Sequence, residues 1–215
     1  MPVWWRWFEE EVKRHVLSNQ GIYFFVVILF ITGVVFGALT VRTLANHQKT
    51  ELMEYLQVFV VDMTSETLPS GNELLLPALW ANAKTIVLLW LGGLTVVGLP
   101  LTLILLFSKG FSSGFTAAFL IEEVKWRGFI LAGTAMLPHS LLIIPALLFL
   151  TAGAISFAYC LLRQRFTKYP SQRNAPSLWS YGLLICYAGI AAFLAAVVEA
   201  YITPVLAKIT AAGLF

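Results

Sequence analysis

The sequence predicts an all-α integral membrane protein of about five transmembrane helices, with broken or re-entrant segments among them. Three observations carry that reading. Of 215 residues, 59% are apolar and only 12% are Asp, Glu, Lys or Arg, against about 25% charged in soluble domains. The charges are unevenly spread, and Gly21–Val41 and Ile86–Phe107 hold none. Each of those runs matches the roughly 20 apolar residues that a helix needs to cross about 30 Å of hydrocarbon. A soluble globular enzyme, a disordered chain and a disulfide scaffold are all excluded. Cys160 and Cys186 lie inside apolar runs and read as small packing residues. A net charge of +3, with the basic residues not clustered on one soluble domain, gives no reason to expect nucleic acid as a partner. The lipid bilayer is the expected surroundings.

Residues 1–20 read as a cytoplasmic interfacial helix. Trp5, Phe8, Val12 and Val16 recur at three- and four-residue intervals beside Trp4 and Trp7, and tryptophan favours the headgroup zone. The first span, Gly21–Val41, is too long for a cleaved signal's apolar core and lacks a cleavage site after it, so it reads as a retained anchor. Residues 42–85 read as an extracytoplasmic loop with its own helix. There Leu52, Leu56, Phe59, Val60 and Met63 form one stripe. That stripe either packs back on the bundle and headgroups or is offered to a partner. Pro69-Ser70-Gly71 makes a turn, and the chain re-enters at about Trp80. Ile86–Phe107 is the second span, loosened by Gly92, Gly93, Gly98 and Pro100.

Between Gly110 and Leu162 the apolar sequence is interrupted by Glu122, Glu123, Lys125 and Arg127. Phe111–Ile121 is short for a span. Gly128–Leu162 is too long for one crossing and too short for two, so a break at Pro138 and Pro145 is the natural resolution. Tyr181–Thr203 is the last span, with Glu199 its single charge. Lys and Arg are dense in the N-terminal segment and in the loop from Arg163 to Ser177, and sparse elsewhere. By the positive-inside rule the N-terminus is cytoplasmic and the C-terminus outside, which requires an odd number of crossings. The whole chain, 1–215, forms one polytopic domain of the cell membrane.

The inventory for chemistry is thin. His139 has no Asp, Glu or Cys within four residues, and no zinc, nucleophile-elbow or phosphate-loop motif occurs. A dyad of Ser140 or Ser156 with His139 lacks a third group and an oxyanion hole. No catalytic residue, cofactor site or metal site is therefore expected, and His139 reads as a cap on the break at Pro138. Glycine is more informative. Gly33-x-x-x-Gly37 and Gly110-x-x-x-Gly114 permit close helix approach. Such faces mostly mean packing within the chain; self-association, or transport through broken helices, is the other use they offer.

The order of these features resembles the stage II sporulation protein M family and the wider group of membrane proteins related to it. The resemblance rests on the anchor span, the outer loop, the Asn82 lead-in and Lys109-Gly110-Phe111-Ser112-Ser113-Gly114-Phe115. It continues through Leu137-Pro138-His139-Ser140-Leu141-Leu142-Ile143-Ile144-Pro145-Ala146 and Glu199-Ala200-Tyr201-Ile202-Thr203-Pro204. Relatives typically show Pro-His-Gly-x-x-Glu-x-Pro-Ala, whereas this chain has Ser140 for the glycine and Ile143 for the glutamate. What the resemblance implies is a non-enzymatic scaffold in the sporulation septum of an endospore-forming bacterium. It would localise two peptidoglycan hydrolases of the engulfment complex, the stage II sporulation proteins D and P. On that reading Leu52, Leu56, Phe59 and Met63 are the partner-binding residues. The alternative is a small membrane subunit of a transporter or export system.

Overall fold

The computed structural model describes residues 19–64, 71–166 and 178–206. The expected surface helix at 1–18, the Pro69–Ser70 turn and the basic loop at 167–177 lie outside these. Helix α1 is Gln20–Thr43, α2 Asn46–Thr64 and α3 Gly71–Gly93. A 3-10 turn at Val96–Gly98 leads into α4, Leu99–Phe166, and α5 is Leu178–Val197, continued by a π-helix at Val198–Ile202. Among the described residues there is no strand.

Five helical stretches are long and apolar enough to cross a membrane: Gln20–Thr43, Glu73–Gly93, Val96–Trp126, Met136–Arg163 and Tyr181–Leu206. The number matches the sequence expectation, but the second to fourth are not the expected segments. Ile86–Phe107 is not one span, because the chain turns within it. Thr95, with extended backbone, accepts a bond on its side chain from the Gly98 N–H, and Leu94 N–H closes a tight turn on the Leu91 carbonyl at 3.2 Å. Gly98 lets the backbone double back: a Cβ there would lie 2.2 Å from the Gly92 carbonyl oxygen. Pro100 falls in the first turn of α4, where its missing N–H costs nothing. The segment taken as a loop, 42–85, therefore contains the first half of the second span.

The break expected at Pro138 and Pro145 falls instead at Lys125. Both prolines lie within α4, whose only non-helical backbone is Lys125, at φ 56° and ψ −132°. The helix continues through both prolines to Phe166; each removes one intrahelical hydrogen bond, and neither ends the helix. Lys125 divides α4 into an N-terminal arm (the Val96–Trp126 span) and a C-terminal arm (the Met136–Arg163 span). The fold-back is tight: a Cβ on Gly128 would lie 1.8 Å from the Leu120 carbonyl oxygen. Positive φ on a lysine is strained by about 1–3 kcal/mol. Lys125→Gly is accordingly expected to raise stability by about 1 kcal/mol. A melting temperature in detergent that falls instead would show the side chain contributes more than the strain costs.

Contacts fix the helix ends at two levels. At the proximal end, Ser156 Oγ donates to Asn19 Oδ1 at 2.7 Å, and Gly93 abuts Ala154 and Tyr181. At the distal end, Lys49 meets Glu122, and Gly71 abuts the Tyr201 ring. The core joins α1, α3, both arms of α4 and α5 through Val26, Phe30, Leu89, Leu106, Leu150 and the small residues Ala188, Ala192 and Ala195. Small side chains let these helices approach closely where lipid supplies no hydrophobic drive.

Candidate functional site

The closest helix contact joins α1 to the N-terminal arm of α4, and it is made by the two glycine pairs. A Cβ on Gly33 would lie 2.5 Å from the Phe107 carbonyl oxygen, and one on Gly37 2.0 Å from that of Phe111. Reciprocally, a Cβ on Gly110 would meet the Phe30 carbonyl at 2.5 Å, and one on Gly114 the Val34 carbonyl at 2.0 Å. Each glycine thus receives a carbonyl of the other helix, the geometry of interhelical Cα–H···O contacts. Phe111, Phe115 and Phe119, at four-residue intervals, stack along the same arm, from half-buried at Phe111 and Phe115 to buried at Phe119. Phe111 and Phe115 centroids are 6.3 Å apart, as are Phe115 and Phe119.

Helix α2 meets the bundle at its first turns. Lys49 Nζ pairs with Glu122 at 2.5 Å and lies 3.9 Å from Glu123. This partly exposed pair is worth about 0–1 kcal/mol. It explains the acidic cluster that interrupts the apolar sequence: Glu122 and Glu123 end a span and anchor α2. Of the expected docking stripe, Leu52 is half-buried. Leu56, Phe59 and Met63 fall on α2, and their side chains lie outside what the structure describes.

The other expected positions are dispersed. Pro138, His139 and Pro145 lie within the C-terminal arm, twelve to nineteen residues beyond Trp126. His139 is on the stripe of Ile143, Ala146 and Leu150, which faces the core. Its Nδ1 is buried with no hydrogen-bond partner, as is Nδ2 of Asn82, a residue only 7% exposed. Glu199 is half-buried in the π-helix, an irregularity frequent at functional sites. Among the described residues no three His, Cys, Asp or Glu side chains are placed to hold a metal ion. Cys160 and Cys186 are not joined in a disulfide.

Two lysines escaped the sequence reading. With spans taken as Ile86–Phe107 and Phe111–Ile121, Lys84 and Lys109 are ordinary flanking charges. The structure places both inside spans, Lys84 in Glu73–Gly93 and Lys109 in Val96–Trp126. A charge near mid-bilayer costs about 2.5–3.5 kcal/mol. Extending the apolar window across one lysine would have found them.

A five-span helical bundle, with one amphipathic helix between the first two spans and a glycine-paired contact at its heart, defines a multi-pass membrane protein. A sequence model of the family described as stage II sporulation protein M matches residues 26–204, and the chain belongs to that sporulation-associated family. No curated protein and no solved structure shows a match to the chain.

Proposed function

We propose that the protein is a non-enzymatic membrane scaffold, with its N-terminus in the cytoplasm and its C-terminus outside. It would hold cell-wall hydrolases, the stage II sporulation proteins D and P, at the septal membrane during engulfment. The observation that carries this reading is α2. Its described contact with the bundle is the Lys49 ion pair near its N-terminus, and a helix with an apolar stripe needs a surface to cover that stripe. Family membership supports the sporulation setting. Orientation rests on the Lys and Arg counts, and α2 then lies with the distal end on the wall side.

Introducing glutamate at both Phe59 and Met63 is expected to lower co-purification with a hydrolase about tenfold or more. Membrane insertion should be unchanged. Full co-purification by the double variant would remove α2 as the docking element. A deletion strain that completes engulfment normally would remove the scaffold reading itself.

A further inference from the structure

The two lysines lie at one depth. Gly92 packs on Thr102 across the turn that joins the second and third spans. Eight residues back from Gly92 is Lys84, and eight forward from Thr102 is Gly110, next to Lys109. Both lysines are therefore about 12 Å from the level of that contact at the helical rise. Lys84 is eleven residues from Glu73 and nine from Gly93, in the middle of its span. Lys109 lies one and two turns beyond Leu106 and Thr102, both fully buried, of which Thr102 packs on Gly92 of α3, and it is itself half-buried.

Among the described residues neither ammonium has a counter-charge. Lys84 and Lys109 make no ion pair or side-chain hydrogen bond among the described residues. Glu51, Glu54, Glu73, Glu122, Glu123 and Glu199 all belong to the distal end, with Glu73 about 16 Å from Lys84 along its helix. Lys84 lies instead on an exposed stripe with Leu76, Trp80, Val87 and Leu91. Beside that stripe is a groove of about 440 Å³ lined by Leu76, Pro77, Leu79, Trp80 and Ala83. An apolar groove beside an exposed ammonium within a span is complementary to an apolar helix that carries an anion.

We propose that the outer face of the second and third spans docks a transmembrane helix of a partner protein, one bearing an Asp or Glu at mid-span. Leu76 and Trp80 receive its apolar side chains, and its carboxylate takes charge-assisted hydrogen bonds from Lys84 and Lys109. Water cannot compete for that pair in hydrocarbon, and a partner without the carboxylate leaves both charges unpaired. The inference is independent of the α2 surface and of the hydrolases.

The test uses the full chain in vesicles of phosphatidylethanolamine and phosphatidylglycerol. The probe is a dye-labelled single-span peptide of about 21 leucines, flanked by lysines, with one central glutamate. Energy transfer is expected to show it binding about tenfold more tightly than the peptide with central glutamine. Moving the glutamate two turns toward either end should remove the gain. Lys84→Met and Lys109→Met should each weaken binding, and the double substitution should abolish the preference; Lys84→Arg should keep it. Equal binding of the glutamate and glutamine peptides, or an unchanged preference in the double methionine variant, would overturn the proposal. So would lysine-dependent energy transfer between two labelled copies of the chain, which would assign the face to self-association.

Discussion

Gly114→Leu is expected to separate α1 from the N-terminal arm of α4 and to cost about 3 kcal/mol or more. The added side chain would start 2.0 Å from the Val34 carbonyl oxygen. That atom belongs to helix backbone and cannot rotate away, so the helices must move apart. Moving them unseats Gly33, Gly37 and Gly110 together, because the four contacts share one axis of approach. The molecule supplies its own control. Gly182 and Gly189, also in a span, have nothing within 4 Å of an added Cβ. Alanine there should be neutral or stabilising by up to about 1 kcal/mol, from helix propensity alone. Melting temperatures in detergent, with limited proteolysis of α1, distinguish the two classes. A Gly114→Leu protein as stable as the Gly189→Ala protein would mean the glycine contact is dispensable.

Tyr181→Ala should be similarly severe, about 3–5 kcal/mol. Tyr181 is 2% exposed, and its ring is stacked between Trp90 at 5.7 Å and Phe157 at 4.4 Å. It thereby clamps α3, the C-terminal arm of α4 and α5 at the proximal end. Its hydroxyl donates to the Trp90 carbonyl at 2.7 Å. That carbonyl belongs to the last turn of α3, whose backbone acceptors lack intrahelical donors, so Tyr181 also caps the helix. Tyr181→Phe removes the cap and keeps the stack, at a cost of about 1–1.5 kcal/mol. Equal losses for the phenylalanine and alanine variants would assign the whole effect to the hydrogen bond.

The two clamps show what the sequence could disclose. The glycine pairs were legible as close-approach faces because spacing alone reveals them; that they face each other is a fact of tertiary geometry. The Tyr181 stack joins residues 91 positions apart with no local pattern to betray it. Span boundaries suffered from one rule applied twice. Lysine was read as an end and uninterrupted apolarity as continuation, so Lys84 and Lys109 marked borders, and the turn at Gly92–Gly98 was hidden inside a run. In a bundle, a turn at the bilayer edge can be as apolar as the helices it joins. The prolines misled for a related reason: a break needs a strained backbone, and Lys125 carries it within a charged cluster where the chain leaves the apolar layer. His139 and Asn82 were visible as polar residues in apolar surroundings, but their buried atoms depend on how three helices meet.

The Gly33–Gly37 contact also has a consequence for how the chain is made. Synthesis delivers α1 to the membrane first, yet its partner glycines follow 77 residues later, a delay of about 4–15 s at ordinary elongation rates. Meanwhile α1 must remain in lipid with its glycine face open. It is the most apolar of the five spans, which suits it to that wait. The next two spans, less apolar and each carrying a lysine, are better delivered as a hairpin, closed by Thr95 and Gly98. The bundle would then be completed only when that hairpin reaches the waiting first helix.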